Sequence, residues 1–397
     1  MGQWEDEVQK HAPQLRVVRF HGNSRLKIAD LATADVIIST PTKEFSAVFL
    51  AKFRYWRVVV DESHLLGKGH CKLNVVCGLE TERSWCITAT PMTSSILDLK
   101  AQSEFLALQF PHGFRAQREF VEHHMIRHTK SQLINGEVAL TFPETRTTAK
   151  QLKMTDWERK EFMKTLVSMR PVLQRHPTMG IHRAEMSWYA KLMKPLCCKD
   201  STKIVELISD LKGMMETEPN MQAVVFTNFL DAQIFADIAI RKSLGLQTYV
   251  VNGSKTAQDR DRCIRQFQNE SDPKPAVFLT TLRTGSVGVT LTAASHVFLL
   301  EPCIDPTSEF QAAGRIHRLG QSKPVGVTKY YFEDSCESNI MGLHQKLNDG
   351  SLSYRSGILN RYAQNILALD VYGLRQKFPV EGRDCPSQSE ENGALSD

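Results

Sequence analysis

AVFLTTLRTGSVGVTLTAASHVFLLEP, residues Ala276–Pro302, holds two near-continuous apolar runs, AVFLTT (276–281) and HVFLLE (296–301), on either side of a glycine-spaced loop. Runs this short, with no polar residue at every second position, mark strands covered on both faces, as in a parallel sheet flanked by helices. Working outward, AVVFTN (223–228) and TYVVNG (248–253) read the same way, and so do DVIIST (35–40), RVVVDE (57–62) and SWCITAT (84–90) towards the N-terminus. The fold class expected is therefore α/β, with two parallel-sheet lobes.

From about Leu97 to Asp200 the β-runs give way to helical patterning. Thr155-x-x-Glu158 is a capping-box signature, and Pro143, Pro171, Pro177 and Pro195 punctuate the region. Thr202 reads as the cap of a helix over 203–215, and after Asn348 the motifs stop. The expected organisation is a first lobe over 1–142, a helical protrusion and linker over 143–200, a second lobe over 201–347, and a helix and polar tail over 348–397.

Composition sets the outer limits. With 397 residues and roughly 100 to 200 per domain, two or three domains are expected. Hydrophobic content of 42% and charged content of 23% are those of a globular chain, and no apolar run is long enough to span a bilayer. The net charge of +5 permits a polyanionic partner without requiring one. Nine cysteines with no C-x-x-C pair argue for reduced thiols in an intracellular compartment. Asp6 stands where N-myristoylation needs Ser or Thr.

Candidate chemistry lies where strands end, as ligands of open α/β sheets bind beyond the strand carboxyl ends. VVVDESH (58–64) brings Asp61 and Glu62 together at a strand tip, with His64 two positions on. Adjacent carboxylates repel each other and are most stable with a divalent cation or its waters near them. That suits Asp61 as a water-mediated Mg²⁺ holder and Glu62 as the base that orients water; an acidic turn is the plainer alternative. ITATPM (87–92) places hydroxyls at Thr88 and Thr90. TTLRTGSVGVTL (280–291) places Arg283 after a strand, then spaces Gly285 and Gly288 so that backbone can approach a ligand.

The remaining motif is QAAGRIHRLGQ (311–321). At roughly 100° per residue Gln311, Arg315 and Arg318 fall in one narrow helical stripe walled by apolar neighbours. Gly320 is the expected helix stop and Pro324 prevents a restart. Guanidinium groups shown through a slot suit the edge of a cleft, although solvated surface arginines are the plainer reading of an isolated R-x-x-R.

In order, these pieces resemble the motor of a superfamily-two helicase, and specifically the Swi/Snf-type ATPases. LTAASHVFLLEP leading into QAAGRIHRLGQSKPV carries the resemblance furthest, with SWCITATPMTSSILDL, MIRHTK, KIVELISDLK and VNGSKTAQDRDRCIRQF matching in order. Within the branch the nearest likeness is to the SHPRH and helicase-like transcription factor group. The resemblance implies two RecA-like lobes and ATP-driven movement on double-stranded DNA, in chromatin remodelling or repair, in the nucleus, with nucleosomes as a further candidate partner. It implies that Asp61 and Glu62 serve Mg²⁺ and water, and that Arg315 and Arg318 face the γ-phosphate of ATP. His64, Thr88, Thr90, Gln311, Gly285 and Gly288 would couple nucleotide to lobe movement. Thr40, Lys43, Gly253, Ser254, Lys255, Thr281 and Arg283 would contact DNA.

The sequence also departs from that pattern. It contains no G-x-x-x-x-G-K-[ST] phosphate loop; NGSKT and GKGH have the wrong order or lack the hydroxyl. QWEDEVQKHAPQLRVVRFHG (3–22) resembles the segment just downstream of that loop, so the first lobe is expected to be incomplete. Ser63 replaces the usual alanine, Ala89 a glycine and Thr290 an asparagine, while Cys303, Ile304 and Asp305 replace a tryptophan-containing stretch. The cysteine spacing excludes a zinc-binding RING. Two readings follow: a DNA-stimulated ATPase whose phosphate loop lies outside these residues, or a catalytically deficient DNA- or chromatin-binding module.

Overall fold

The computed structural model describes residues 2–20, 28–40, 50–68, 70–92, 98–129, 133–134, 137–138, 141–175, 189–269, 274–282 and 289–351. In the front half, helix α1 (Gly2–His11) leads into β1 (Val17–Phe20), α2 (Ile28–Ala32) and β2 (Val36–Ser39), the strands pairing in parallel. Next come β3 (Arg54–Tyr55), β4 (Val58–Asp61), a 3₁₀ segment (Ser63–Lys68), α3 (His70–Cys77), β5 (Glu80–Thr81) and β6 (Ser84–Ile87). β3 pairs with β5 and β4 with β6, again in parallel. Helices α4 (Asp98–Phe105) and α5 (Phe114–His124) and the antiparallel pair β7 (Leu133–Ile134) and β8 (Glu137–Val138) follow.

Alternation along β4 and β6 sends Val58, Val60 and Cys86 to one face, against Leu66, Leu73, Val76 and Phe105. The opposite face carries Val59, Trp85 and Ile87, which are 44%, 51% and 41% exposed. These runs read as strands covered on both faces, yet the described residues cover only one, and no front-half sheet among them exceeds two strands.

The second half is built on six parallel strands in the order β11-β12-β10-β13-β14-β9. They are β9 (Thr145–Leu152), β10 (Gln222–Thr227), β11 (Gln247–Val251), β12 (Ala276–Thr281), β13 (His296–Leu299) and β14 (Val325–Phe332). Helices α6 (Asp156–Arg175), α7 (Thr202–Thr217), α8 (Leu230–Leu244), α9 (Ala257–Phe267), α10 (Pro306–Ala313) and α11 (Cys336–Asn348) join them. All residues of β10 are buried, the central position that AVVFTN announces. Two cores flank the sheet: Val225, Leu279, Phe298 and Tyr330 lie on one side, and Val224, Phe226, Phe278 and Val297 on the other. The fold is α/β, built in its second half on a six-stranded parallel sheet. No described helix is long and apolar enough to cross a membrane.

Residues 145–152 lie in the stretch that reads as helical, but they form an edge strand paired along its length with β14. TRTTAKQL has no apolar run to reveal it, because its side chains are mostly exposed and its order comes from ladder hydrogen bonds. The capping box does form: Glu158 N donates to Thr155 Oγ1 at 3.2 Å, and Thr155 N donates to Glu158 Oε2 at 2.8 Å. The helix expected to be capped by Thr202 has Ser201 at its N-cap position, one residue earlier, without a side-chain cap of its own, and Thr202 N donates instead to Glu158 Oε1 at 2.9 Å.

Candidate active site

β4 ends at Asp61, and the chain turns sharply there, with Glu62 in the left-handed region at φ 49°. The turn is fixed by Glu62 N, which donates to Asp61 Oδ1 at 2.9 Å, and it swings the two carboxylates apart. Asp61 remains exposed, accepts the Trp4 indole N–H at 2.9 Å through Oδ2, and makes no ion pair among the described residues. Glu62 points inward. Its Oε1 lies 3.4 Å from Arg315, and its Oε2 lies 3.4 Å from His64 Nδ1 and makes no hydrogen bond among the described residues.

His64 is buried, and its Nδ1 shares a 2.8 Å hydrogen bond with Thr88 Oγ1, the first hydroxyl beyond β6. Thr88 Oγ1 also accepts from Thr90 N at 3.1 Å. The second half arrives from the other side. Gln311 Nε2 donates to Thr90 Oγ1 at 3.0 Å, and Arg318 donates to Thr290 Oγ1 at 3.0 Å, where Gln3 Nε2 also donates at 2.8 Å. Glu62, His64, Thr88, Thr90, Gln311 and Arg315, far apart in sequence, thus share one cleft.

The arginine stripe forms by a different backbone from the one expected. Helix α10 ends at Ala313, not at Gly320, and tight turns continue to Arg318. Leu291 N takes the Arg315 carbonyl at 2.8 Å, which removes it from the helical ladder. The walls hold in part: Ala312 and Ile316 are buried, whereas Phe310 and Leu319 are exposed. Cys303, Ile304 and Asp305 set the start of α10, with Asp305 capping Thr307 N at 3.0 Å and Cys303 N donating to Glu309 at 2.8 Å.

Burial governs the electrostatics. The Glu62 carboxyl is held above the ordinary carboxylate range, chiefly by desolvation and further by Asp61, against the pull of Arg315 and Arg318. Arg315 is shifted down from the usual guanidinium range, again chiefly by burial, with Arg318 adding to it and Glu62 opposing. Both partners therefore shift against the direction that their mutual attraction favours. No group of three or more His, Cys, Asp or Glu that would hold a metal occurs among the described residues. The donor chemistry still fits Mg²⁺ arriving on a substrate, because an exposed carboxylate can hold the waters of an ion whose other ligands are phosphate oxygens.

The expected DNA contacts are only partly within view. Thr40 follows β2 and Thr281 ends β12, both half-buried. Gly253 and Ser254 are exposed in a turn held by Asn252 Oδ1, which accepts Ser254 N and Oγ at 3.2 and 2.6 Å. Lys255 turns its ammonium to Cys263 Sγ at 3.6 Å. Lys43, Arg283, Gly285 and Gly288 lie outside the described residues. Sequence reasoning missed Gln3, Trp4 and Gln102, which touch the site or its walls. Only Trp4, an exposed aromatic in a polar helix, offered a signal.

Comparison with known proteins shows what the chain is similar to. Residues 1–203 match the SNF2-related domain and residues 203–320 the helicase conserved C-terminal domain. The human helicase-like transcription factor is 22% identical over 493 residues, covering 87% of this chain and 49% of that protein. DNA repair protein RAD5 of Eremothecium gossypii is 35% identical over 151 residues, covering 37% of this chain and 14% of that protein. A Sulfolobus solfataricus SWI2/SNF2 ATPase core solved in complex with dsDNA is similar at a TM-score of 0.46 and 20% identity, over 96% of this chain and 85% of that one. The chain spans about half the length of the helicase-like transcription factors it matches, 49% for the human protein. With residues 1–203 in the first family and a helicase C-terminal domain following it, the chain belongs to the SNF2-related, helicase-like family.

Proposed function

We propose that the chain carries the hydrolytic centre of an ATP-driven motor that moves on double-stranded DNA and serves DNA repair or chromatin remodelling in the nucleus, with nucleosomes among its substrates. The observation that carries this reading is the convergence across the cleft: Glu62 with Arg315 at 3.4 Å, and Thr90 with Gln311 at 3.0 Å. Glu62, whose buried Oε2 makes no hydrogen bond among the described residues, accepts the proton of the attacking water. Arg315 and Arg318 stabilise the charge that develops on the γ-phosphate. At 3.4 Å the Arg315–Glu62 contact is longer than the usual 2.7–2.9 Å for a charged pair. In this reading the γ-phosphate takes the place of the Glu62 carboxylate as the partner of Arg315. Asp61 would hold Mg²⁺ through water, and the ion, when bound, neutralises phosphate charge. Thr40, Gly253, Ser254, Lys255 and Thr281, with Lys43 and Arg283, would track DNA phosphates without reading bases.

The 397 residues contain no G-x-x-x-x-G-K-[ST]. On their own they are therefore expected to bind ATP poorly and to hydrolyse it slowly or not at all. The Trp4 indole seated on Asp61 favours a second reading, a non-hydrolysing DNA- or chromatin-binding module. One experiment separates the two. Duplex retention and ATP hydrolysis are measured for this chain and for a version with a strand–loop–helix bearing G-x-x-x-x-G-K-[ST] joined ahead of Met1. The motor reading expects duplex binding that weakens with salt, no turnover by the chain alone, and DNA-stimulated turnover in the extended version that Glu62→Gln abolishes. An extended version that binds ATP yet never turns over supports the module. Failure to retain duplex at about 50 mM salt overturns both readings.

A further inference from the structure

Two loops make the front wall of the cleft, Asp61–His64 and Thr88–Pro91, and a residue outside both spans them. Ser63 is fully buried, and its Oγ donates to Gln102 Oε1 at 2.8 Å. Gln102, on α4 and 5% exposed, donates through Nε2 to the Pro91 carbonyl at 2.8 Å and to the Asp98 carbonyl at 3.3 Å. The amide has one orientation available. Two carbonyls can only accept, so the NH₂ faces them and the oxygen is left for the Ser63 hydroxyl. The bridge thus runs from the residue beside Glu62 to the residue beside Thr90, parallel to the direct His64–Thr88 bond. It also brackets a strained point, because the positive φ of Glu62 persists only where its surroundings over-determine it.

We propose that Gln102, oriented by the Ser63 hydroxyl, is a positioning residue that holds the two loops in register, so that Glu62 and Thr90 meet Arg315 and Gln311 together. Its catalytic consequence rests on the hydrolytic reading of Glu62; its geometry does not. Alanine at 63, the residue usual in the resembled family, would leave the Gln102 oxygen without this donor, so the serine gives this chain a tie of its own.

The test is amide hydrogen exchange on the 397-residue chain, which needs no nucleotide. Ser63→Ala and Gln102→Met are compared with the parent at residues 62–65 and 88–90, with β10 as reference. The expected result is acceleration by about fivefold or more in both loops in each variant, since Ser63→Ala loses one neutral buried hydrogen bond and Gln102→Met loses that one and the two to the Pro91 and Asp98 carbonyls. β10 should be unchanged, and the double variant should show less than the sum of the two effects. Acceleration confined to 62–65 in Ser63→Ala, or equal acceleration in β10, would overturn the proposal, because the first shows no transmission and the second only general destabilisation. In a phosphate-loop-bearing version, Ser63→Ala should lower kcat with KM within about twofold. If that version is inactive while the exchange result holds, the hydrolytic reading fails and the bridge stands.

Discussion

At Glu62 the backbone adopts φ 49°, and the side chain, 23% exposed, lies against Arg315 with burial outweighing the attraction between them. A carboxyl whose folded pKa is raised stabilises the fold fully below its unfolded value of 4.5 and loses that contribution as pH rises through the folded value. Above the folded pKa the ionised side chain therefore costs stability, and glutamine, which mimics the protonated form, does not. Glu62→Gln should melt at or above the parent at pH 8, by roughly 2–4 °C for each ~1 kcal/mol relieved. The difference should shrink as the pH falls towards 4.5. Melting curves of the two proteins across that range check it, and a variant that melts lower at pH 8 would show that the Arg315 contact is worth more than the burial costs. Arg315→Lys should not replace arginine in any hydrolysing form. A lysine has no planar fork to span two phosphate oxygens, and the loss should approach the 10³- to 10⁵-fold typical of an arginine finger.

Among the elements, Glu158 has an outsized share. Its carboxylate, 1% exposed, accepts from Thr155 N and Oγ1 at 2.8 and 3.0 Å and from Ser201 Oγ, Thr202 N and Thr202 Oγ1 at 3.3, 2.9 and 2.6 Å. One side chain therefore closes the N-termini of α6 and α7. Glu158→Ala removes two caps worth about 1 kcal/mol each and leaves buried donors unsatisfied, for a total loss of about 2–4 kcal/mol. Denaturant titration should show it as a lower midpoint with an unchanged slope. Half of this joint was legible beforehand, because a capping box is a local pattern, whereas the reach to Ser201 and Thr202 is a tertiary fact with no local signature. The strands divide in the same way. AVVFTN and AVFLTT announced β10 and β12 because central strands must be apolar on both faces. TRTTAKQL hid β9 because an edge strand is not so constrained. In the site, Glu62 and Arg315 were legible from residue chemistry, but Gln102 was not, since a glutamine inside a helix looks like any other until its partners are known.

Across the whole molecule the polar contacts between the two halves among the described residues include Gln3 with Thr290, Arg19 with Asp261, Asp6 with Arg265, Thr90 with Gln311, and Glu62 with Arg315. Interfaces of this kind within a chain permit relative motion unless they are large and apolar. A closing motor needs that property, since groups that grip a phosphate only in one lobe arrangement must be released in another. Gln311→Ala combined with Arg315→Ala removes both contacts at the centre of the cleft while leaving the β10–β14 sheet intact. Solution scattering should therefore show a larger radius of gyration for the double variant, with the melting transition of the second half unchanged. If the dimensions stay the same, the halves are fixed by contacts away from the cleft, and the site cannot work by opening and closing. If the second half itself loses stability, the Arg315 side chain acts in its own lobe rather than across the gap.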